Sequence, residues 1–332
     1  MKKLAINGFG RIGRAALKIA LQGKNFELVA INDLTDTKTL AHLLSYDTAY
    51  GRYEKKVIAE ENALVIDGMR IPVYSEPDPT KLPWGSLEVD IVLECTGRFT
   101  DKKSALAHIE AGAKKVILSA PAKDEDGSVP TYIVGVSEGE YGQEQVISNA
   151  SCTTNSLAPI AEIMHRVFGV QKAIMTTIHS YTADQNLQDG PHKDLHRARA
   201  AAQNIVPTTT GAAIAVTQVL PELREKFDGI SVRVPTLVVS LTDVTFLLSR
   251  KTTKEEINAV LTEASESARY SRVLRVTNEP LVSSDFIGSP YSSVIDLEMT
   301  KVIDGDLVKV VAWYDNEWGY ANRLIDLAAT VG

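Results

Sequence analysis

The run Ser151-Cys152-Thr153-Thr154-Asn155-Ser156-Leu157 carries one of only two cysteines in the chain. A polar, hydroxyl-rich stretch from Ser148 to Ser156 leads into the apolar spacing Leu157, Ile160, Ile163, Met164, Val167. That pattern predicts a loop feeding a helix, with Cys152 at or near its first turn. Free N–H groups and the positive end of a helix dipole stabilise a thiolate there. A thiolate with an imidazole in reach can attack a carbonyl carbon. The chain has six histidines. His42, His108 and His165 fall in helical patterns, where packed or solvated roles are the default. His179 ends the strand-like run Gln171 to Ile178, just before a long polar loop where catalytic side chains tend to collect, and is the best partner for Cys152. No metal ion is needed for this chemistry, and none is expected.

Such a pair needs a scaffold, and the first half of the chain supplies a nucleotide fold. Leu4-Ala5-Ile6 reads as a short buried strand that runs into Gly8-Phe9-Gly10-Arg11-Ile12-Gly13. A helical pattern follows (Ile12, Ala15, Ala16, Ile19, Ala20), then a second strand from Glu27 that ends in Asp33, 20 positions after Gly13. A glycine motif between strand and helix, with an acid at this offset, is the dinucleotide fingerprint. The glycines let backbone approach a pyrophosphate, the helix N-terminus binds it, and the acid accepts from the ribose hydroxyls. Asp33 repels a 2′-phosphate, so NAD is expected over NADP. Further alternation follows: a strand Asp90 to Glu94 closed by Cys95-Thr96-Gly97, a helix Asp101 to Ile109, and a strand Lys115 to Ser119. This implies a doubly wound parallel sheet with ligand at the carboxyl ends of its strands, where Thr96, Gly97 and Ser119 lie. Cys95, in apolar surroundings, reads as a small buried hydrophobe.

After residue 150 the pattern changes. Ile230 to Leu248 is β-rich and interrupted by Pro235, and Val308 to Trp313 is another strand. Long strands with few helices between them predict an α+β domain with a mostly antiparallel sheet covered on one side. The stretch from Tyr181 to Pro207 is polar and without clear period, and a loop of that length is usually functional. Asn316 to Val331 reads as a helix. The expected division is a nucleotide-binding domain over 1–150 and a catalytic domain over 151–315, with the helix 316–332 packing back on the first.

Bulk properties exclude several classes. At 332 residues, 44% apolar and 23% charged, the composition is that of a globular domain pair. A net charge of −7 with no basic patch argues against nucleic acid as the main partner. No stretch reaches the roughly 18 apolar residues a membrane span needs. Two cysteines suit a reducing cytoplasm, and the short apolar start ending at Asn7 argues against a signal peptide.

Asn7-Gly8-Phe9-Gly10-Arg11-Ile12-Gly13-Arg14, Ser151-Cys152-Thr153-Thr154-Asn155, His179-Ser180-Tyr181-Thr182 and Trp313-Tyr314-Asp315-Asn316-Glu317-Trp318-Gly319-Tyr320 together resemble phosphorylating glyceraldehyde-3-phosphate dehydrogenases, in order and spacing from end to end. The resemblance implies a glycolytic enzyme that uses NAD and inorganic phosphate to turn D-glyceraldehyde 3-phosphate into 1,3-bisphosphoglycerate through a cysteine thioester. It implies that Cys152 attacks the aldehyde, that His179 takes the hydroxyl proton, and that the backbone N–H of Cys152 and His179 stabilise the oxyanion. It places Thr182 and Arg233 on the substrate phosphate. Ser151, Thr153, Thr154, Thr210 and Gly211 complete the substrate sites by similarity, with Arg197 near the attacking phosphate. Gly8, Gly10, Arg11, Ile12, Gly13, Asp33, Thr96, Gly97 and Ser119 would hold the cofactor. Asn316 would orient the nicotinamide amide, with Tyr320 packed close to that ring. A cytoplasmic homotetramer is implied as well. Three positions depart from the family pattern: Pro77 and His196, where arginines are common, and Ser156, where many members carry a second cysteine. Erythrose-4-phosphate dehydrogenase, which releases the acid to water, is the nearest alternative. A regulator role would need a DNA-binding module for which there is no room before Leu4, and a surface-displayed binding role could only be secondary.

Overall fold

The computed structural model describes residues 1–124 and 126–331. The chain divides into two compact units: Met1–Tyr132, Glu138–Ala150 and the chain from Ala321 in the first, Ile133–Ser137 and Ser151–Tyr320 in the second.

The first unit runs β1 (Lys2–Asn7), α1 (Arg11–Ala20), β2 (Phe26–Asn32), α2 (Thr37–Ser45), β3 (Tyr46–Asp47), β4 (Gly51–Arg52), β5 (Val57–Glu60), β6 (Ala63–Ile66), β7 (Met69–Tyr74), α3 (Trp84–Leu87), β8 (Ile91–Glu94), α4 (Lys102–Glu110), β9 (Lys115–Leu118) and β10 (Val146–Ser148). Its sheet has the order β10-β9-β8-β1-β2-β7-β6-β5. The pairs from β10 to β7 are parallel. Their short apolar runs are buried on both faces, as a helix-covered parallel sheet requires. At β7 the sheet turns antiparallel through β6 to β5. Sequence reading passed over this extension. Its signal is Asp67-Gly68, both at positive φ (47° and 86°), the pair that closes a two-residue hairpin between β6 and β7. Asp36 and Asp101 cap α2 and α4 by accepting from the N–H groups of Thr39 and Ser104.

The second unit runs α5 (Cys152–Phe168), β11 (Val170–Ser180), β12 (Val206–Thr209), α6 (Ala212–Val219), β13 (Phe227–Val234), β14 (Ser240–Leu248), α7 (Lys254–Glu266), β15 (Leu274–Thr277), β16 (Ser293–Asp296), β17 (Lys301–Ile303), β18 (Leu307–Tyr314) and the start of α8 (Trp318–Val331). The sheet order is β12-β13-β11-β14-β18-β16-β15, with β17 on β18. Most pairs are antiparallel, but β11/β13 and β15/β16 are parallel. The parallel pairing of β11 with β13 is not visible in the sequence, because strand direction depends on how the 181–226 crossover returns. Along β14 buried and half-buried residues alternate, so one face packs on the core. Helix α5 covers it with Leu157, Ile160, Ile163 and Met164, all fully buried and worth roughly 1.5–3 kcal/mol each. The end of α8 belongs to the first unit, where Lys2 Nζ and Lys115 Nζ donate to the carbonyls of Ala329 (2.8 Å) and Val331 (2.7 Å).

Candidate active site

The second unit resumes at Ser151, directly after Ala150, which is held at φ 52°. Ser151 is extended and caps the helix, its Oγ accepting from Thr154 N (3.1 Å) and lying 2.8 Å from Thr154 Oγ1. Cys152 is therefore the first helical residue. Its Sγ lies 3.4 Å from Nε2 of His179, the second-last residue of β11. The parallel register sets His179 directly beside Arg233 of β13. The ring's Nδ1 is 2.7 Å from the Ser180 carbonyl, a bond only an Nδ1–H can make. Nε2 then presents a lone pair to the sulfur. Arg233 Nη1, 3.0 Å from Nδ1, gives its hydrogens to Ser180 O (3.2 Å) and Thr182 Oγ1 (3.1 Å) instead.

The electrostatics revise one expectation. The helix start was expected to favour a thiolate. Burial is the larger influence and pushes the Cys152 thiol up, while the Arg233 charge, the Thr153 hydroxyl and the local N–H groups pull the other way without cancelling it. Burial, with the Arg233 charge second, holds His179 down at about 3. The resting pair is a thiol beside a neutral base, ready to pass its proton as the sulfur attacks.

The surrounding residues divide by what they touch. Thr182 gives its hydroxyl to Asp184, whose other oxygen accepts from Arg197 (2.5 Å). Burial alone would raise Asp184, but the Thr182 hydroxyl and the charges of Arg197 and Arg233 bring it below its usual value. Arg197 also donates to Thr208 Oγ1 (2.9 Å), so it is tied within the 181–209 segment. Thr153 is buried, with its hydroxyl 2.9 Å from Tyr314 Oη and 4.0 Å from Cys152 Sγ. Tyr314 Oη also reaches Thr177 Oγ1 (2.8 Å), and its ring meets His179 edge-on at 6.1 Å. Asn316 Oδ1 accepts from the hydroxyls of Ser180 (2.9 Å) and Ser240 (3.0 Å), which fixes the amide's orientation. Thr210 makes only a local bond, its Oγ1 accepting from Ala212 N (3.2 Å), and Gly211 is the exposed cap of α6, which packs on α5. Tyr320 is buried in the first turn of α8. Ser156 Oγ sits 3.3 Å from both Thr242 Oγ1 and Ser293 Oγ, in the core. His196 is exposed near Asp194 (3.4 Å). Sequence reading missed Asp184, Ser180, Ser240 and Tyr314. Ser180 and Tyr314 had a signal, their places inside the His179–Thr182 and Trp313–Tyr320 motifs.

In the first unit a cavity of about 300 Å³ is lined by Gly8, Gly10, Asp33, Pro77, Thr96 and Phe99, among others. Gly8 is at φ 91°, and a Cβ on it would lie 2.7 Å from Thr96 N. A Cβ on Gly13 would lie 2.2 Å from Gly8 O. Gly10, by contrast, has open space where a side chain would go. Ile12 lies in the first turn of α1. Asp33 is locked by Phe9 N (2.7 Å) and Thr35 N (2.9 Å). Arg11 reaches away to Asp47 (2.5 Å) and over the Tyr50 ring, leaving its backbone for the loop. Gly97, at φ 70°, and Ser119, whose N–H donates to Glu94 O (3.0 Å), follow β8 and β9 at their carboxyl ends. Burial pushes the Cys95 thiol up to about 12, so it is inert at neutral pH. These features suit a dinucleotide: open backbone at the start of α1 for a pyrophosphate and a fixed carboxylate for ribose hydroxyls.

Comparison with known proteins agrees with this chemistry. Residues 2–102 match the glyceraldehyde 3-phosphate dehydrogenase NAD binding domain, and residues 151–316 match the glyceraldehyde 3-phosphate dehydrogenase C-terminal domain. The chain is 54% identical over 331 residues to glyceraldehyde-3-phosphate dehydrogenase of Geobacillus stearothermophilus, covering 99% of this chain and 98% of that relative. It is 53% identical to glyceraldehyde-3-phosphate dehydrogenase 2 of Streptomyces avermitilis and 53% to glyceraldehyde-3-phosphate dehydrogenase 1 of Bacillus cereus, each over 99% of this chain and 98% of the relative. The chain belongs to the glyceraldehyde-3-phosphate dehydrogenase family and is an NAD-dependent oxidoreductase of glycolysis.

Proposed function

We propose that Cys152 and His179 carry out the oxidation of D-glyceraldehyde 3-phosphate to 1,3-bisphosphoglycerate through a thioester on Cys152. The observation that carries this reading is the 3.4 Å approach of Sγ to an Nε2 whose lone pair faces it. The sulfur attacks the aldehyde carbon as its proton leaves through His179, giving a hemithioacetal. The N–H of Cys152 and His179 steady the oxygen as charge develops on it. His179 then removes the hydroxyl proton while hydride departs. NAD, when bound, accepts that hydride. The sulfur is left in a thioester, and an inorganic phosphate oxygen displaces it, releasing the acyl phosphate and the Cys152 thiolate, which is reprotonated.

Arg233 and Thr182, linked at 3.1 Å, hold the substrate phosphate, because a dianion wants both a hydroxyl and a guanidinium. Ser151, Thr154, Thr210 and Gly211, with Arg197, hold the attacking phosphate. Gly8, Gly10, Arg11, Ile12, Gly13, Asp33, Thr96, Gly97 and Ser119 hold the cofactor, with Asn316 and Tyr320 at the nicotinamide. The protein acts in the cytoplasm as a homotetramer. The apolar side chains of Ile174 and Ile230 on the open face of the second sheet, 65% and 51% exposed, support self-association.

Rapid mixing of enzyme, aldehyde and NAD without phosphate tests the route. A burst of NADH of about one equivalent per subunit is expected, followed by a stall that phosphate relieves. Turnover that continues without phosphate, and runs faster on erythrose 4-phosphate, would point instead to an acid-releasing enzyme. No burst at all in folded protein would overturn the thioester. Light scattering of purified protein tests the tetramer.

A further inference from the structure

The catalytic reading leaves unused a buried polar cluster at the carboxyl ends of β1, β2 and β8. Glu94 closes β8, and its carboxyl group is fully buried. Oε1 accepts from both the N–H and the hydroxyl of Thr96. Oε2 accepts from Asn7 Nδ2 (2.5 Å) and from His108 Nε2 (3.1 Å). His108 is itself fully buried, and its Nδ1 accepts from Trp84 Nε1 (3.0 Å). The indole has no acceptor, so the ring hydrogen sits on Nε2 and is given to Glu94. The four hydrogen bonds to the carboxyl group come from donors on three residues, Thr96, Asn7 and His108.

The cluster reaches the cofactor cavity on two sides. The Thr96 hydroxyl accepts from Arg98 N (3.0 Å), so Glu94 clasps the whole 96–98 turn, whose Gly97 is at φ 70°. Gly8 is pressed on the backbone of that turn so closely that no Cβ fits between them. On the other side Asn7 Oδ1 accepts from Asn32 Nδ2 (2.7 Å). Asn32 in turn exchanges bonds with the backbone of Glu76, next to Pro77 (3.0 and 2.9 Å). A buried carboxylate without a cation is costly to keep, and packing alone would be better served by an apolar side chain. Its bonds run to the turn that shapes the cavity.

We infer that Glu94, locked in place by His108 and Asn7, is a positioning residue for NAD: it holds the 96–98 turn against the glycine loop in the shape that receives the cofactor. This rests on the reading of the cavity as the cofactor site. Exchanging Glu94 for glutamine keeps size but replaces one acceptor oxygen by an NH₂ that must face a donor, either at Thr96 or at Asn7 and His108. The turn loosens, while the second unit keeps its own contacts.

Calorimetric titration of the full-length protein with NAD tests this, beside the rate at which iodoacetamide alkylates Cys152 in the absence of cofactor. Glu94→Gln is expected to weaken NAD at least about tenfold with Cys152 alkylation unchanged, so that KM for NAD rises and KM for the aldehyde does not. A Kd within twofold of the unsubstituted protein overturns the inference. So does a loss of NAD affinity matched by an equal change in Cys152 reactivity, the sign of general damage. Should Glu94→Gln fail to fold, Thr96→Val removes only the hydroxyl clasp and is expected to weaken NAD severalfold. An unchanged Kd there overturns the inference equally. If the unsubstituted protein itself shows no NAD binding, the cofactor reading has failed first.

Discussion

Each unit of this protein sets a charged side chain against neutral hydrogen-bond partners, Glu94 fully buried and Arg233 half-buried, and the two charges are opposite. In the first unit Glu94 faces the N–H and O–H donors of Thr96, Asn7 and His108. In the second, Arg233 faces the acceptors Ser180 O and Thr182 Oγ1. The carboxylate gathers donors and so gives a turn its shape. The guanidinium orders the strand ends, and it also lowers the energy of every anion the proposed reaction forms beside it: thiolate, oxyanion and phosphate. Burial first, and this charge second, keep the neighbouring His179 neutral. A charge can position groups in either sign, but only the positive one stands beside the atoms of the proposed chemistry.

The sharpest way to break this comparison is to remove the sulfur. Cys152→Ala should abolish dehydrogenase turnover and leave NAD affinity intact, since the first unit does not depend on the thiol. Turnover near that of the unsubstituted protein, in folded variant, would remove the second unit from the chemistry. His179→Asn should retain slow turnover, down by about 10²–10⁴ in kcat, because sulfur attack survives the loss of a positioned base. Equal and complete loss in both variants would deny the division of labour between sulfur and base.

Two glycines of the same motif should separate fold from binding. Gly13→Ala puts a methyl group 2.2 Å from Gly8 O and should destabilise the protein by about 1–3 kcal/mol, read by urea unfolding. Gly10→Ala meets no neighbour and should leave stability within about 0.5 kcal/mol while weakening NAD. If Gly10→Ala instead lowers stability and spares NAD, the loop is structural only. At the other end of the cavity Asp33 is held by two N–H groups, and Leu34 beside it offers no positive charge to a 2′-phosphate. NAD should be preferred over NADP by at least about tenfold in kcat/KM, or about 1.4 kcal/mol. Equal efficiency would show that specificity is set elsewhere.

A further test concerns pH. The folded His179 binds its proton only near pH 3, whereas an unfolded histidine does so near 6.5. Between those values the unfolded chain holds one more proton, so stability falls as pH drops through that window and levels off below it. His179→Asn should make the acid slope shallower by up to about 1.4 kcal/mol per pH unit between pH 6 and 4. An unchanged slope would mean the imidazole is not held neutral by Arg233 and burial.

Much of this protein is determined by short stretches of sequence. The glycine motif with Asp33, the apolar runs of the parallel strands and the start of α5 at Cys152 are local patterns, because a tight turn, a two-face-buried strand and a helix cap each depend on residues a few positions apart. The antiparallel extension β5 to β7 was legible in principle from Asp67-Gly68. Tertiary structure decided the rest. The contact of His179 with Arg233, 54 positions on, exists only because β11 and β13 pair in parallel, a direction no periodicity encodes. The Glu94, His108, Asn7 and Asn32 cluster joins three strand ends and a helix whose residues look like ordinary polar positions when taken one at a time. The ionisation of Cys152 and His179 was likewise beyond the sequence. A helix start favours a thiolate, but how deeply the thiol is buried, and which charge lies next to it, follow from packing, and here burial wins.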